Sequence, residues 1–139
     1  MSASEGRKGP QSGFECTDAA CSAYHFMVLD TTCTSAKTVV KMASAATSPI
    51  IGVSYEATAA ANRNVGVNHL AGMIVPLMVN GVTPGAISIN SRLTSDASGH
   101  GVATTTAGDH VGAIALAAST TAGEVIPVML TGPGAHGAS

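Results

Sequence analysis

From Tyr24 to Leu130 the chain is a succession of short runs rich in Val, Ile, Thr and Ala, each cut off by turn-forming residues. Asn80-Gly81 ends the longest apolar run, and both residues tolerate the positive φ of a tight turn. Pro84-Gly85, Asp96-Ala97-Ser98-Gly99, Ala107-Gly108-Asp109 and Ala122-Gly123 punctuate the remainder in the same way. Short β-branched runs at such spacing are the pattern of a compact all-β sandwich or barrel-like domain. The expected strands are Tyr24–Leu29, Lys37–Ala43, Ile50–Tyr55, Val65–Asn68, Met73–Val79, Ala86–Ser91, Gly101–Thr105, Val111–Ala117 and Glu124–Leu130.

In Ala86-Ile87-Ser88-Ile89-Asn90 and across His110–Leu116 the larger apolar residues fall on nearly every second position. One face of such a strand packs while the other carries small or polar groups. Pro76 and Pro127 fall inside expected strands. Proline cannot donate to a ladder, so both are expected on edge strands or at bulges. Ala57–Ala61 has the propensity for one helical turn, too short to change the class.

A chain of 139 residues suits one domain with one core. Its charged fraction is 10%, against an ordinary value of about 25%, and its apolar fraction is 45%. So few charges leave part of the exterior to be covered by a homo-oligomer, a partner, or both. Phe14, Tyr24, Phe26 and Tyr55 are the only aromatic residues, so the core must be aliphatic, as in a thin sheet-on-sheet packing. The net charge is −2 and the six basic residues are scattered, a poor basis for binding nucleic acid.

Residues 1–14 combine Ser, Gly, Pro and charge, and read as a flexible arm, either one that orders on a partner or a plain terminus. Residues 15–131 read as a single β domain and residues 132–139 as a flexible tail. Without an apolar segment at its start, no secretory signal is expected. Leu70–Val79 is about half the roughly 20 residues of a membrane-spanning helix, so no membrane partner is expected. Cys16, Cys21 and Cys33 are odd in number and unevenly spaced, which favours free thiols.

A hydrolase needs a nucleophile, a base and an orienting acid. Asp96, Ser98, His100, Asp109 and His110 supply those types within a short stretch, but no nucleophile motif surrounds them. They read as turn residues, and no catalytic residue is assigned. Cys16, Cys21, His25 and Cys33 are the only Cys/His cluster; it lacks the short second pair of a zinc ribbon, so no metal is expected. No glycine-rich stretch leads into Lys-Ser/Thr, as a phosphate loop requires. A lipoyl or biotinyl carrier needs a lysine at a hairpin tip, and none follows Lys41. No cofactor is expected. His69 and His136 read as surface or interface residues.

Thr83–Leu130 contains a Pro84-Gly85 hairpin entry, an Asp96–Gly99 turn, a Gly112–Leu116 strand and a closing strand after Ala122-Gly123-Glu124. In these features it resembles the C-terminal part of bacteriophage head decoration, or capsid cement, proteins. Ile50–Val53 and Gly66–Leu77 also sit where that family tends to have strands. The resemblance implies a structural protein, made in the host cytoplasm, that assembles as a trimer over local threefold positions. It would bind the major capsid protein on the exterior of the virion head and resist the pressure of packaged DNA. Three weak feet on different capsomers would give collective affinity. The arm, with Arg7, Lys8, Pro10 and Phe14, is the expected capsid contact, adding a strand to a capsid-protein sheet. Two other readings stay open: a tail, fibre or host-binding module of the virion, and a small hydrolase.

Overall fold

The structure, a computed structural model, describes residues 11–16, 21–31, 39–58 and 63–131. Among these residues there are ten strands and no helix: β1 (Gln11–Cys16), β2 (Phe26–Leu29), β3 (Val39–Met42), β4 (Ile50–Ser54), β5 (Arg63–Asn68), β6 (Ile74–Asn80), β7 (Arg92–Ser95), β8 (Gly101–Ala103), β9 (Ala113–Ala115) and β10 (Ala122–Leu130). The fold is all-β, as the turn pattern predicts, and it closes into two five-stranded barrels.

The first barrel runs β1-β3-β2-β4-β5 and is closed by β1 against β5, antiparallel from Gln11 opposite Asn68 to Cys16 opposite Arg63. The second runs β10-β6-β8-β7-β9 and is closed by β9 against β10. Most neighbours are antiparallel; β1 with β3 and β6 with β8 are parallel.

Side chains alternate across a strand with a period of two, and β2 uses both faces. Met27 joins Cys16, Cys21, Val40, Val65 and Val67 inside the first barrel. Phe26 and Val28 point the other way and share a larger core with Ile50, Leu77, Leu93 and Val128. That second core fuses the two barrels. Polar bonds reinforce the seam: Phe26 N–H donates to Gly99 O and Met78 N–H to Tyr24 O, each at 2.8 Å. The Ala46 carbonyl accepts from both His110 N–H and the Thr94 hydroxyl, again at 2.8 Å.

Several expectations need correction. Residues 11–14 belong to β1 rather than to an arm, because a six-pair ladder with β5 supplies the order that their composition does not. Cys16 and Cys21 are joined in a disulfide rather than left as free thiols. Their Cα atoms are 6.5 Å apart, because β1 carries Cys16 into the barrel while two bonds to Thr58 pin Cys21 beside it. Cys33 lies outside the described residues.

Ala86–Ser91 is a loop, not a strand. Ser91 N–H bonds back to Ser88 O, Asn90 takes a positive φ of 75°, and only Ile87 makes a bridge, to Ser119. The strand instead begins at Arg92. Asn80 caps its turn with its side chain: Oδ1 accepts from Val82 N–H and Thr83 N–H, both at 3.0 Å. Of Ala57–Ala61, Ala57 and Thr58 are not helical, and residues 59–61 lie outside the described residues.

Candidate contact face

Pro76 and Pro127 sit directly opposite each other in the regular part of the β6–β10 ladder, away from its bulge. β9 flanks Pro127 on the other side, whereas β6 pairs with β8 only at Val79, so the outer side of Pro76 has no ladder partner among the described residues. Opposed residues of an antiparallel pair project to the same face and alternate between bonded and non-bonded pairs. Two prolines fit only the non-bonded kind, where neither backbone nitrogen is asked to donate to the other. Pro127 O turns instead to β9, where it accepts from Leu116 N–H at 3.0 Å.

Around this pair the register sets Ile74 opposite Met129 and Met78 opposite Val125. Ile114 of β9 lies beside Met129, and Leu116 follows beside Pro127. The result is an apolar grid centred on Pro127. Its members alternate with core residues: Val75, Leu77, Ile126 and Val128 are at most 3% exposed, whereas Ile74 is 65% and Val125 is 43% exposed. Pro76 and Pro127 are exposed, and Met78, Met129, Ile114 and Leu116 are half-buried. None of these side chains carries charge or a hydrogen-bonding group.

The grid is built locally from two strands that are apolar at nearly every position, Ile74–Val79 and Val125–Leu130. A strand with one wet face alternates apolar with polar; one covered on both faces reads as continuous apolar sequence. That signal was present in the sequence, beside the two misplaced prolines. At about 4.8 Å between strands and about 6.7 Å between same-face residues, the eight side chains tile roughly 250 Å² of sheet plane.

The residues weighed for hydrolysis serve two turns. In the first, Asp96 Oδ1 accepts from Ser98 N–H at 2.8 Å and His100 N–H at 2.9 Å, while its Oδ2 lies 3.6 Å from His100 Nδ1. Gly99 holds the turn with a φ of +83°, which costs a residue without a Cβ nothing. In the second, the Asp109 carboxylate accepts from the Thr104 hydroxyl, and His110 N–H donates to Ala46 O. The structure gives these residues turn-building bonds and no Ser–His pairing.

His25 is buried with its Nδ1 at 2.8 Å from Ala23 O, so that nitrogen carries the proton and donates. Burial pushes its pKa below the ordinary value of 6.5; the Ala23 bond acts the other way, the neighbouring His100 lowers it further and Asp96 raises it. Cys16 and Cys21 are tied to each other, so their sulfurs are not a zinc pair. Among the described residues no group of three or more His, Cys, Asp or Glu side chains could hold a metal. His69 borders a shallow cleft with Ile50, Gly112 and Leu130. Of the expected capsid contacts, Phe14 lies on β1 opposite Val65. Arg7, Lys8 and Pro10 lie outside the described residues, as does His136.

No family model matches the chain, and no curated protein does. Among solved structures, the fold is similar to the N base of head fiber gp8.5 of bacteriophage phi29, with a TM-score of 0.67 at 14% sequence identity. The match covers 87% of this chain and 92% of that one. At that identity the likeness shows a shared fold.

Proposed function

We propose that this chain is a non-catalytic structural protein of a phage head, seated on the outer surface of the shell as an oligomer that bridges neighbouring capsomers. The observation that carries this reading is the fold match along most of both chains to a protein described as the base of a head fibre. The resemblance of Thr83–Leu130 to head decoration proteins points to the same place on the particle. The apolar grid on β6, β9 and β10 suits this reading chemically, because the centre of a protein–protein contact is apolar and depleted of charge. Small contacts repeated across an oligomer add to firm attachment without a large footprint for each. The major capsid protein is the partner, and the segment ahead of β1 its point of contact.

The structural likeness also favours a second reading, in which the chain is the base from which a fibre projects. The two readings share the outer surface of the head and differ in whether a fibre projects from it. Immunogold labelling of intact particles tests the location that both readings share. Label spread over the heads is expected; label confined to tails, or found only after particles are broken open, would overturn the proposal.

A further inference from the structure

We propose that the β6–β10–β9 face is where two copies of this chain meet, so that its partner is the same face of another protomer. The assignment rests on reading the chain as a structural oligomer and adds which surface closes it.

Geometry limits the manner of contact. Both barrels are closed, and near Pro127 β10 is bonded on both sides, to β6 and to β9, so the centre of the face offers no free strand edge for an incoming strand. An occupant must therefore lie flat upon the face. The strands beneath are apolar on both sides, the pattern of a sheet covered on both sides, yet the described residues cover only one. Leucine-like surface around Ile74, at 65% exposure, stays in water until something else covers it.

Area and charge then select the occupant. A standard interface buries about 800 Å² per partner around an apolar centre, with a polar rim contributing the rest. A grid of roughly 250 Å² is the size of such a centre, not of a whole interface. It bears no charge, so it offers nothing to steer or orient a charged partner. Another copy presents an equally flat, equally uncharged grid, and self-complementarity is what an interface between like protomers requires. Such a copy is also present from synthesis onward, whereas a shell surface would leave the patch wet until assembly. The prolines add rigidity: Pro76 and Pro127 have no rotamer freedom to lose on docking, which lowers the entropic cost of association.

The test is sedimentation equilibrium of the full chain across a wide concentration range. Unaltered protein is expected to associate into an even number of 13.6 kDa chains, two where this face alone makes the contact. Val125→Asp and Ile74→Asp each place a charge on the grid and should weaken association at least about tenfold. Leu29→Asp, a control at a comparably exposed residue of the first barrel, should leave it unchanged. Oxidative footprinting of unaltered protein gives a readout free of folding defects: Met78 and Met129 should be shielded when associated and labelled on dilution. A single-chain mass for unaltered protein at the highest concentration, or grid variants that associate normally, would overturn the assignment. Grid variants that keep their mass but lose binding to particles would hand the face to the shell instead. A self-associated protein that fails to bind particles would sink the head reading while leaving this one standing.

Discussion

The imidazole of His25 meets that of His100 at the seam between the barrels, with ring centroids 4.7 Å apart and planes tilted by 55°. His25 belongs to the segment leading into β2, and His100 to the turn leading into β8. The adjoining bond from Phe26 N–H to Gly99 O ties the same two segments. Any charge placed on His25 is therefore placed in the joint itself.

Folded His25 resists protonation, since burial holds its pKa below the unfolded value of 6.5. Above that value both states leave it neutral, and its effect on stability is nil. As pH falls below 6.5, the unfolded chain takes up a proton that the folded chain refuses, so stability is lost down to the folded pKa. Urea midpoints should fall between pH 7.5 and pH 5.5. His25→Gln should show a smaller fall, and an equal fall in both proteins would remove His25 as the cause.

Reduction of the Cys16–Cys21 bond should loosen the first barrel. Closing so short a loop is worth about 2 kcal/mol in the chain-entropy account. A reductant should lower the urea midpoint of the unaltered protein by a corresponding amount and leave Cys16→Ser unaffected. A non-reducing peptide map that recovers residues 16 and 21 on unlinked peptides would contradict the pairing.

The Tyr55 ring lies against the Cα of Gly66, where a Cβ would come within 2.0 Å of ring carbons. Gly66 N–H also donates to Glu56 Oε2 at 2.8 Å, and its carbonyl accepts from Tyr55 N–H, so the backbone has little room to retreat. Gly66→Ala should cost about 1–3 kcal/mol, the usual price of overpacking. Adding Tyr55→Ala should recover part of that loss, and a purely additive double variant would show that the ring is not the obstacle.

Because β1 begins at Gln11, truncation that tests the proposed arm must stop at residue 10. Deleting residues 1–10 should lower occupancy on particles while the isolated protein keeps its mass. Deleting residues 1–14 removes four strand residues paired with β5 and should destabilise the fold as well. Unchanged occupancy after the shorter deletion would remove the arm as a contact.

The parts of the fold legible in the sequence are those encoded by local chemistry. Asp96–Gly99 forms its turn because an Asx side chain and a glycine settle it without help from afar. Phe26–Leu29 and Ile50–Ser54 are strands because their apolar residues have cores on which to pack. β7 was not legible: Arg92-Leu93-Thr94-Ser95 has one large apolar residue, and its strand exists through pairing with β8 and β9. Ala86–Ser91 shows the opposite failure, in which good alternation is overruled by Asn90 and the Ser88–Ser91 turn. The disulfide depends on a meeting of β1 with the segment at Cys21, which spacing alone does not reveal. For the contact face, the two-sided apolar runs and the prolines were visible, but only the register of β6 on β10 brings Pro76 and Pro127 together.

A cryo-EM map of the intact particle tests the proposed place on the outer surface of a phage head most directly. The expected result is density outside the shell into which both five-stranded barrels fit, with β6, β9 and β10 turned toward a neighbouring copy. A head exterior without that density, in particles whose proteins include this chain, would contradict the account.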